Sequence, residues 1–243
     1  MKIFKHGYFK HGYHLILNTP FKLYLITKGK CSKKVLNKPY QVVWVPTRKI
    51  HEMVPNFPKK RYVDLKIGTA RSVGSIMDGT WDQEKKNFFN VNVYNSFVQR
   101  FTENKNWEDT DYYESFYKRL NKNGHGRGHT KTWEDFKQKR LLRYDKLFND
   151  IKQNGYKSQK KANKINKKTT NEIEVAIGRK GEILFIDGRH RLSIANILNI
   201  EYIPVIINVV HKSYFENHFN SFNTTPQDIV DYLLNYQSND DAA

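Results

Sequence analysis

The stretch EIEVAIGRKGEILFIDGRHRLSIANILNIEYIPVIINV, residues 172–209, decides the fold. Glu172 to Ile177 reads as a strand, Arg179-Lys180-Gly181-Glu182 as a hairpin turn, and Ile183 to Ile186 as a buried strand. Gly188 to Leu198 reads as a helix that turns Leu192, Ala195, Ile197 and Leu198 inward. A further strand follows from Ile203 to Val210, with Pro204 near its start, where a missing N–H is tolerated.

Between the second strand and the helix stands Asp187-Gly188-Arg189-His190-Arg191. A helix start leaves backbone N–H groups without partners and carries a partial positive charge. Gly188 lets an anion approach the backbone closely. Arg189 and Arg191 can clamp phosphate oxygens, and His190 can donate to a phosphate or relay a proton. Asp187, at the strand end, can hold a divalent cation or orient the arginines beside it. In the plainer alternative Asp187 only caps the helix and the cationic side chains face water. Three such side chains at the positive end of a helix then cost about 0.3–1 kcal/mol per charge. That cost favours an anion site.

Working outward, residues 212–220 and 226–236 read as helices, the second with Pro226 at its first position after Thr225. Upstream, residues 157–168 hold six lysines and no acid, a solvated loop by default and a grip on a polyanion in the alternative. Thr132 is a good N-cap, with Asp135 three residues on, for one long helix. Its stripe runs through Phe136, Arg140, Tyr144, Leu147, Phe148 and Ile151, and Gly155 closes it as a left-handed cap. Residues 123–130, NGHGRGHT, form a Gly-rich loop that resembles a phosphate cover but lacks the Lys-Ser/Thr of a P-loop. Phe89, Val93, Phe97 and Phe101 mark a helical face, and residues 110–120 a short helix. Residues 68–81, with Gly68, Gly74 and Gly79, read as loop. Alternation at 3–27, 40–45 and 61–67 makes the first 67 residues β-rich. The expectation is an α+β protein with a basic β-rich and helical region at 1–130, a phosphate-binding core at 131–237 and a polar tail at 238–243.

The chain carries 42 Lys and Arg against 24 Asp and Glu, a net charge of +18. The excess lies before residue 171; residues 171–243 alone hold 5 against 10. A basic surface attracts nucleic acid, nucleotides, glycans or lipid headgroups. The Lys- and Asn-rich background, 31 and 24 residues, is also what compositional drift gives. A single cysteine, Cys31, forms no internal disulfide, no Cys/His zinc spacing exists, and no apolar run approaches membrane-spanning length. The expected location is the cytoplasm, or that of a host if the chain is viral.

On residues 137–212 the chain resembles the ParB/sulfiredoxin superfamily: strand, hairpin, strand, Asp-Gly-x-His-Arg, helix, then a strand entered by Ile-Pro-Val. The helix ending at Asn154-Gly155 and the polar Gln159 are similar to elements ahead of that core. More loosely, Gly79-Thr80-Trp81-Asp82 and Trp107-Glu108-Asp109-Thr110 resemble uncharacterised archaeal and viral ParB-like proteins. The resemblance implies phosphate binding at 188–191. Sulfiredoxin chemistry needs a cysteine where Arg189 stands, and too little chain follows Val210 for the helix-turn-helix of partition proteins. Asp-Gly-Arg-His-Arg is one residue from the motif of the free-serine kinase branch. The resemblance therefore implies a kinase-like phosphotransferase using ATP or ADP with Mg²⁺ on a hydroxyl-bearing small molecule or glycan. The rival expectation is a ParB-like DNA-binding protein or nuclease.

In the kinase reading Asp187 holds Mg²⁺, while Gly188, Arg189, His190, Arg191 and Arg143 bind phosphates. Asp145, on the preceding helix, is the expected base beside His190. Further candidates are Gln159, Asp82, Asp109 and His211.

Overall fold

In a computed structural model of the chain, the described residues are 36–54, 73–158, 172–219 and 223–240. The strands expected at 3–27 and 61–67, Gln159 and nearly all of the lysine run lie outside them.

The most apolar segments make the centre of a seven-stranded mixed sheet. Its strands are β1 (Val43–Pro46), β2 (Glu52–Met53), β3 (Ser75–Met77), β4 (Lys86–Asn87), β5 (Ile173–Ile177), β6 (Ile183–Asp187) and β7 (Tyr202–His211). They run in the order β1-β7-β5-β6-β2-β4, with β3 also on β7. β5 and β6 form the expected antiparallel hairpin, and β5 lies parallel to β7. Every residue of β5 is buried, as continuous apolar strands covered on both faces require. Ile173, Val175, Phe185, Val205 and Ile207 face one layer of the core, and Ala176, Leu184 and Val209 face the other with Met77 and Trp81.

Strands from before and after residue 130 share this sheet: β1 pairs with β7 from Val43↔Val205 to Pro46↔Tyr202, and β2 pairs with β6. The expected loop at 68–81 contains β3, with Ile76 and Met77 buried against the C-terminal half of β7. Glycines on either side hid this short strand. Gly74 takes φ 73°, and a Cβ there would come within 2.4 Å of the Pro39 side chain.

The helices follow the apolar spacing: α1 (Asn92–Phe101), α2 (Asp111–Asn123), α3 (Trp133–Phe136), α4 (Leu142–Asn154), α5 (Arg189–Ile197), α6 (Lys212–His218) and α7 (Pro226–Asp240). Thr132 caps α3 as expected, its hydroxyl accepting the Asp135 N–H at 3.1 Å. The expected single helix is instead broken by a π-helical turn, Lys137–Leu141, between α3 and α4. Gly155 does end α4, but with φ 73° and ψ 168° it turns the chain out extended instead of left-handed helical.

Helix α5 is apolar on two sides. Leu192 and Ala195 pack on the sheet, while Ile194 enters a second core built by α1 to α4 from Phe97, Trp107, Tyr112, Phe116 and Phe136 among others. No helix among the described residues is long and apolar enough to cross a membrane.

The turn of the β5–β6 hairpin is locked by Asp82, which is 3% exposed. Its carboxylate accepts from the Arg179 backbone N–H at 2.8 Å and from Nη2 at 2.7 Å, with His211 Nε2 3.9 Å away. Burial alone would raise its pKa, but Arg179 and His211 outweigh burial and hold it below the ordinary carboxylate value. Asp82→Ala should therefore cost about 3 kcal/mol, the low end for a broken buried pair because Arg179 can still reach water. Urea unfolding at pH 7 checks this, and the deficit should shrink as pH falls through the carboxylate range, where the native Asp82 also loses its charge.

Candidate anion-binding site

Strand β6 ends at Asp187, whose exposed carboxylate accepts the Gly188 N–H at 2.7 Å. Gly188 has φ 97° and ψ 24°, a left-handed corner. A Cβ at this position would stand 3.0 Å from Ile173 Cγ1 and 3.1 Å from its Cα, so glycine is required by both backbone and space. The Gly188 carbonyl accepts the N–H groups of Arg191 at 3.0 Å and Leu192 at 3.1 Å, and so starts α5. The Arg189 and His190 N–H groups lie in this first turn, where the helix itself offers no acceptor.

The side chains of the motif part company here. Arg191 turns inward: its side chain is 17% exposed, and Nη1 lies 3.7 Å from Oε2 of the fully buried Glu172. Beside it is Tyr156, whose hydroxyl burial pushes up to about 12. Arg191 thus supports the corner from beneath, where the sequence suggested a phosphate clamp.

His190 enters the helical layer. Its ring stacks on Tyr144, with centroids 4.3 Å apart and planes 16° apart, and lies 5.8 Å from the Phe97 ring. Nε2 is 3.1 Å from the Tyr112 hydroxyl. Burial first, then Arg127, Arg189, Arg140 and Arg191, push its pKa down to about 3. At neutral pH the imidazole is uncharged.

Those arginines come from three places. Arg189 is on α5. Arg127 is carried by the Gly-rich loop, which is closed on itself by Gly126 N–H to Thr130 O at 2.7 Å and by the Thr130 hydroxyl to Arg127 O at 3.1 Å. Arg140 lies on the π turn, one turn before Tyr144, with its guanidinium against Gly128. Its Nε is out of contact with solvent and has no hydrogen-bond partner. The hydroxyls of Tyr112 and Tyr144 are raised by burial, and the same three arginines pull both back; the exposed Arg143 also acts on Tyr144. Among the described residues, no carboxylate forms an ion pair with Arg127, Arg140 or Arg189. The sequence marked the Gly-rich loop that carries Arg127 as resembling a phosphate cover, but did not mark Arg140, Tyr112 or Tyr144 as functional.

Other candidates lie apart. Asp145 is on α4, but its Oδ1 accepts from Arg100 Nε at 3.1 Å and its Oδ2 from Trp107 Nε1 at 2.9 Å, which ties α4 to α1 and the Trp107 turn. Asp82 and His211 sit at the hairpin end of the sheet, the length of β6 away from Gly188, about 16 Å. His211 is 1% exposed, with Nε2 3.0 Å from Gly79 O and Nδ1 accepting the Ser213 N–H. Asp109 lies in the 3₁₀ turn Trp107–Asp109 and bonds Asn106. No group of three or more His, Cys, Asp or Glu side chains among the described residues is placed to hold a metal ion.

A neutral, cation-ringed His190 makes stability depend on pH. Its folded pKa is below the unfolded 6.5, so between pH 6.5 and about 3 the unfolded chain takes up the proton that the folded chain refuses. This contribution is fully present above 6.5 and is lost as pH falls through that window. His190→Gln should decline less steeply than wild type over the same range in paired urea titrations; parallel declines would contradict the assignment. No protein-family model, curated protein or solved structure matches the chain, so its function is to be read from the geometry of the site.

Proposed function

We propose that this chain is a nucleotide-dependent, kinase-like phosphotransferase of ParB/sulfiredoxin type, with phosphates bound at the first turn of α5. One observation carries the reading: the charges of Arg127, Arg140 and Arg189 act on an uncharged, buried His190, and no carboxylate among the described residues is paired to any of the three. Uncompensated like charges repel one another in a medium less polar than water, and a phosphate chain removes that repulsion. The strand, Asp-Gly-x-His-Arg, helix and strand order of 183–211 supports the proposed fold type.

In this reading the Gly188 corner and the first-turn N–H groups receive one phosphate, and Arg189 neutralises it. Asp187, a single exposed carboxylate, would hold a Mg²⁺ ion, which would supply positive charge against the phosphates. Phosphoryl transfer through a loose transition state depends chiefly on position and charge stabilisation. The arginines supply that here, and Tyr112 and Tyr144 fix the ring of His190. Asp145 is engaged by Arg100 and Trp107 and takes no part in this mechanism.

The net charge of +18 favours a second reading, in which the same turn grips the backbone phosphates of DNA. The two separate in a thermal-shift panel of ATP, ADP, CTP and GTP with Mg²⁺, run on wild type, Arg189→Ala and His190→Ala. A nucleotide phosphotransferase is stabilised by about 2.7 kcal/mol at a hundredfold excess over Kd, the variants lose the shift, and ATP is consumed with a hydroxyl acceptor. No shift with any nucleotide, together with DNA binding that weakens steeply with salt, would decide for the second reading.

A further inference from the structure

The far end of α5 borders a cavity of about 350 Å³, at the small end of the range for ligand sites. A nine-residue helix rising about 1.5 Å per residue sets this cavity about 13 Å from the Gly188 corner. One wall is the end of α5. Ile200 N–H donates to Ala195 O at 2.9 Å and Asn199 N–H to Asn196 O at 3.1 Å, the paired bonds of a Schellman cap. Asn199 takes the left-handed position of that cap, φ 50°, so a carboxamide stands where glycine is usual. The other wall is the 3₁₀ turn Thr47–Lys49, stitched to the first by the Thr47 N–H, which donates to Glu201 O at 2.8 Å. Backbone hydrogen bonds on both walls thus fix the shape.

Ala195, Ile200 and Pro46 give the cavity apolar surface. Arg48 brings donors to it, Glu201 acceptors, and Asn199 and the Tyr202 hydroxyl both. Asn196 spends an amide N–H on Leu192 O at 2.9 Å and keeps its side-chain oxygen to offer. Arg48 and Glu201 line one cavity with opposite charges, yet neither is in an ion pair among the described residues. An anionic ligand meets Glu201 and the negative end of α5, and a cationic one meets Arg48. An uncharged ligand rich in hydroxyls meets neither opposition and pairs with donors and acceptors alike. Of the four large apolar side chains left open among the described residues, Trp44 at 42% and Tyr202 at 43% lie together here. Trp44 pairs with Pro204 and Pro46 with Tyr202, so the two aromatics are diagonal neighbours on one face of β1 and β7. A sugar ring carries C–H groups on its flat faces, which suit the electron-rich face of an aromatic ring, and hydroxyls at its edge. We propose that the cavity binds one uncharged sugar unit of a glycan beside Tyr202, and that Trp44 receives the neighbouring unit. A nucleic-acid base also stacks on such rings, but its phosphates face Glu201 and the carbonyl end of α5.

Calorimetric titration of the full chain with glucose, galactose, mannose, N-acetylglucosamine and their disaccharides, with adenosine and cytidine alongside, tests this. At least one sugar should bind saturably in the millimolar range, and its disaccharide about fivefold tighter, the value of one added aromatic contact. The half-exposed indole of Trp44 should report the disaccharide as a fluorescence change. Trp44→Ala should remove that change and the disaccharide's advantage and leave the single sugar unaffected. Asn199→Gly preserves the cap, so its melting curve should match wild type while every bound sugar weakens about fivefold, the worth of one hydrogen bond. Sugar binding undiminished in both Asn199→Gly and Arg48→Ala lies elsewhere on the chain and overturns the assignment. Absence of saturable binding by any sugar in the panel overturns it too, as does a nucleoside that binds and is lost in Asn199→Gly, which would give the cavity to a base. None of these readouts depends on the phosphate position at Gly188.

Discussion

Helix α5 is held between two cores, and that constraint positions everything proposed for this protein. Leu192 and Ala195 fasten one side of it to the sheet, and Ile194 fastens the other to the helical layer. At its start the left-handed backbone of Gly188 leaves no room beside Ile173 for a larger residue. Below the corner, Arg191 and the buried Glu172 fill the space with opposite charges. The first turn therefore cannot tilt or slide without opening one core or the other. The Gly-rich loop, the π turn and α5, far apart in the sequence, can then act on one fixed point.

What they deliver is unbalanced charge over aromatic rings. Several cations elsewhere in the described chain are paired: Arg179 with Asp82, Arg100 with Asp145, Lys85 with Glu52 and Glu182, Lys137 with Glu108. Around His190 they are not. Arg127, Arg140 and Arg189 are each partly exposed, and their mutual repulsion is a cost that a bound anion would remove. The uncharged imidazole fits the same logic, because a fourth cation would add to the repulsion.

The sheet was legible because β5, β6 and β7 are continuous apolar runs, and the Gly188 corner because a strand, a glycine and a helix follow one another within a few residues. Helix α1 was legible from the four-residue apolar spacing of Phe89, Val93, Phe97 and Phe101. The helical half of the site was not. Tyr112 meets His190, and Arg127 and Arg140 act on it electrostatically, across 50 to 78 residues of sequence, a separation for which a local pattern carries no signal. One hint was present: Arg140 was a charged residue on an otherwise apolar stripe with Phe136, Tyr144 and Phe148. Asp145 misled for the complementary reason. Its place on the right helix was readable, but its commitment to Arg100 and Trp107 depends on where α1 and the Trp107 turn come to rest.

The π turn at Lys137–Leu141 has a geometric effect on both helices beside it. A π turn holds one residue more than the α-helical path, which puts the segments before and after it out of phase by about 100°. Before it, Trp133 and Phe136 meet the α2 aromatics Tyr113, Phe116 and Tyr112. After it, Tyr144 and Phe148 meet Phe97 and Phe101 of α1. An unbroken helix could aim its apolar stripe at one of these neighbours and would miss the other. The single surplus residue lets one rod serve two walls, and the guanidinium of Arg140 stands at the seam between them.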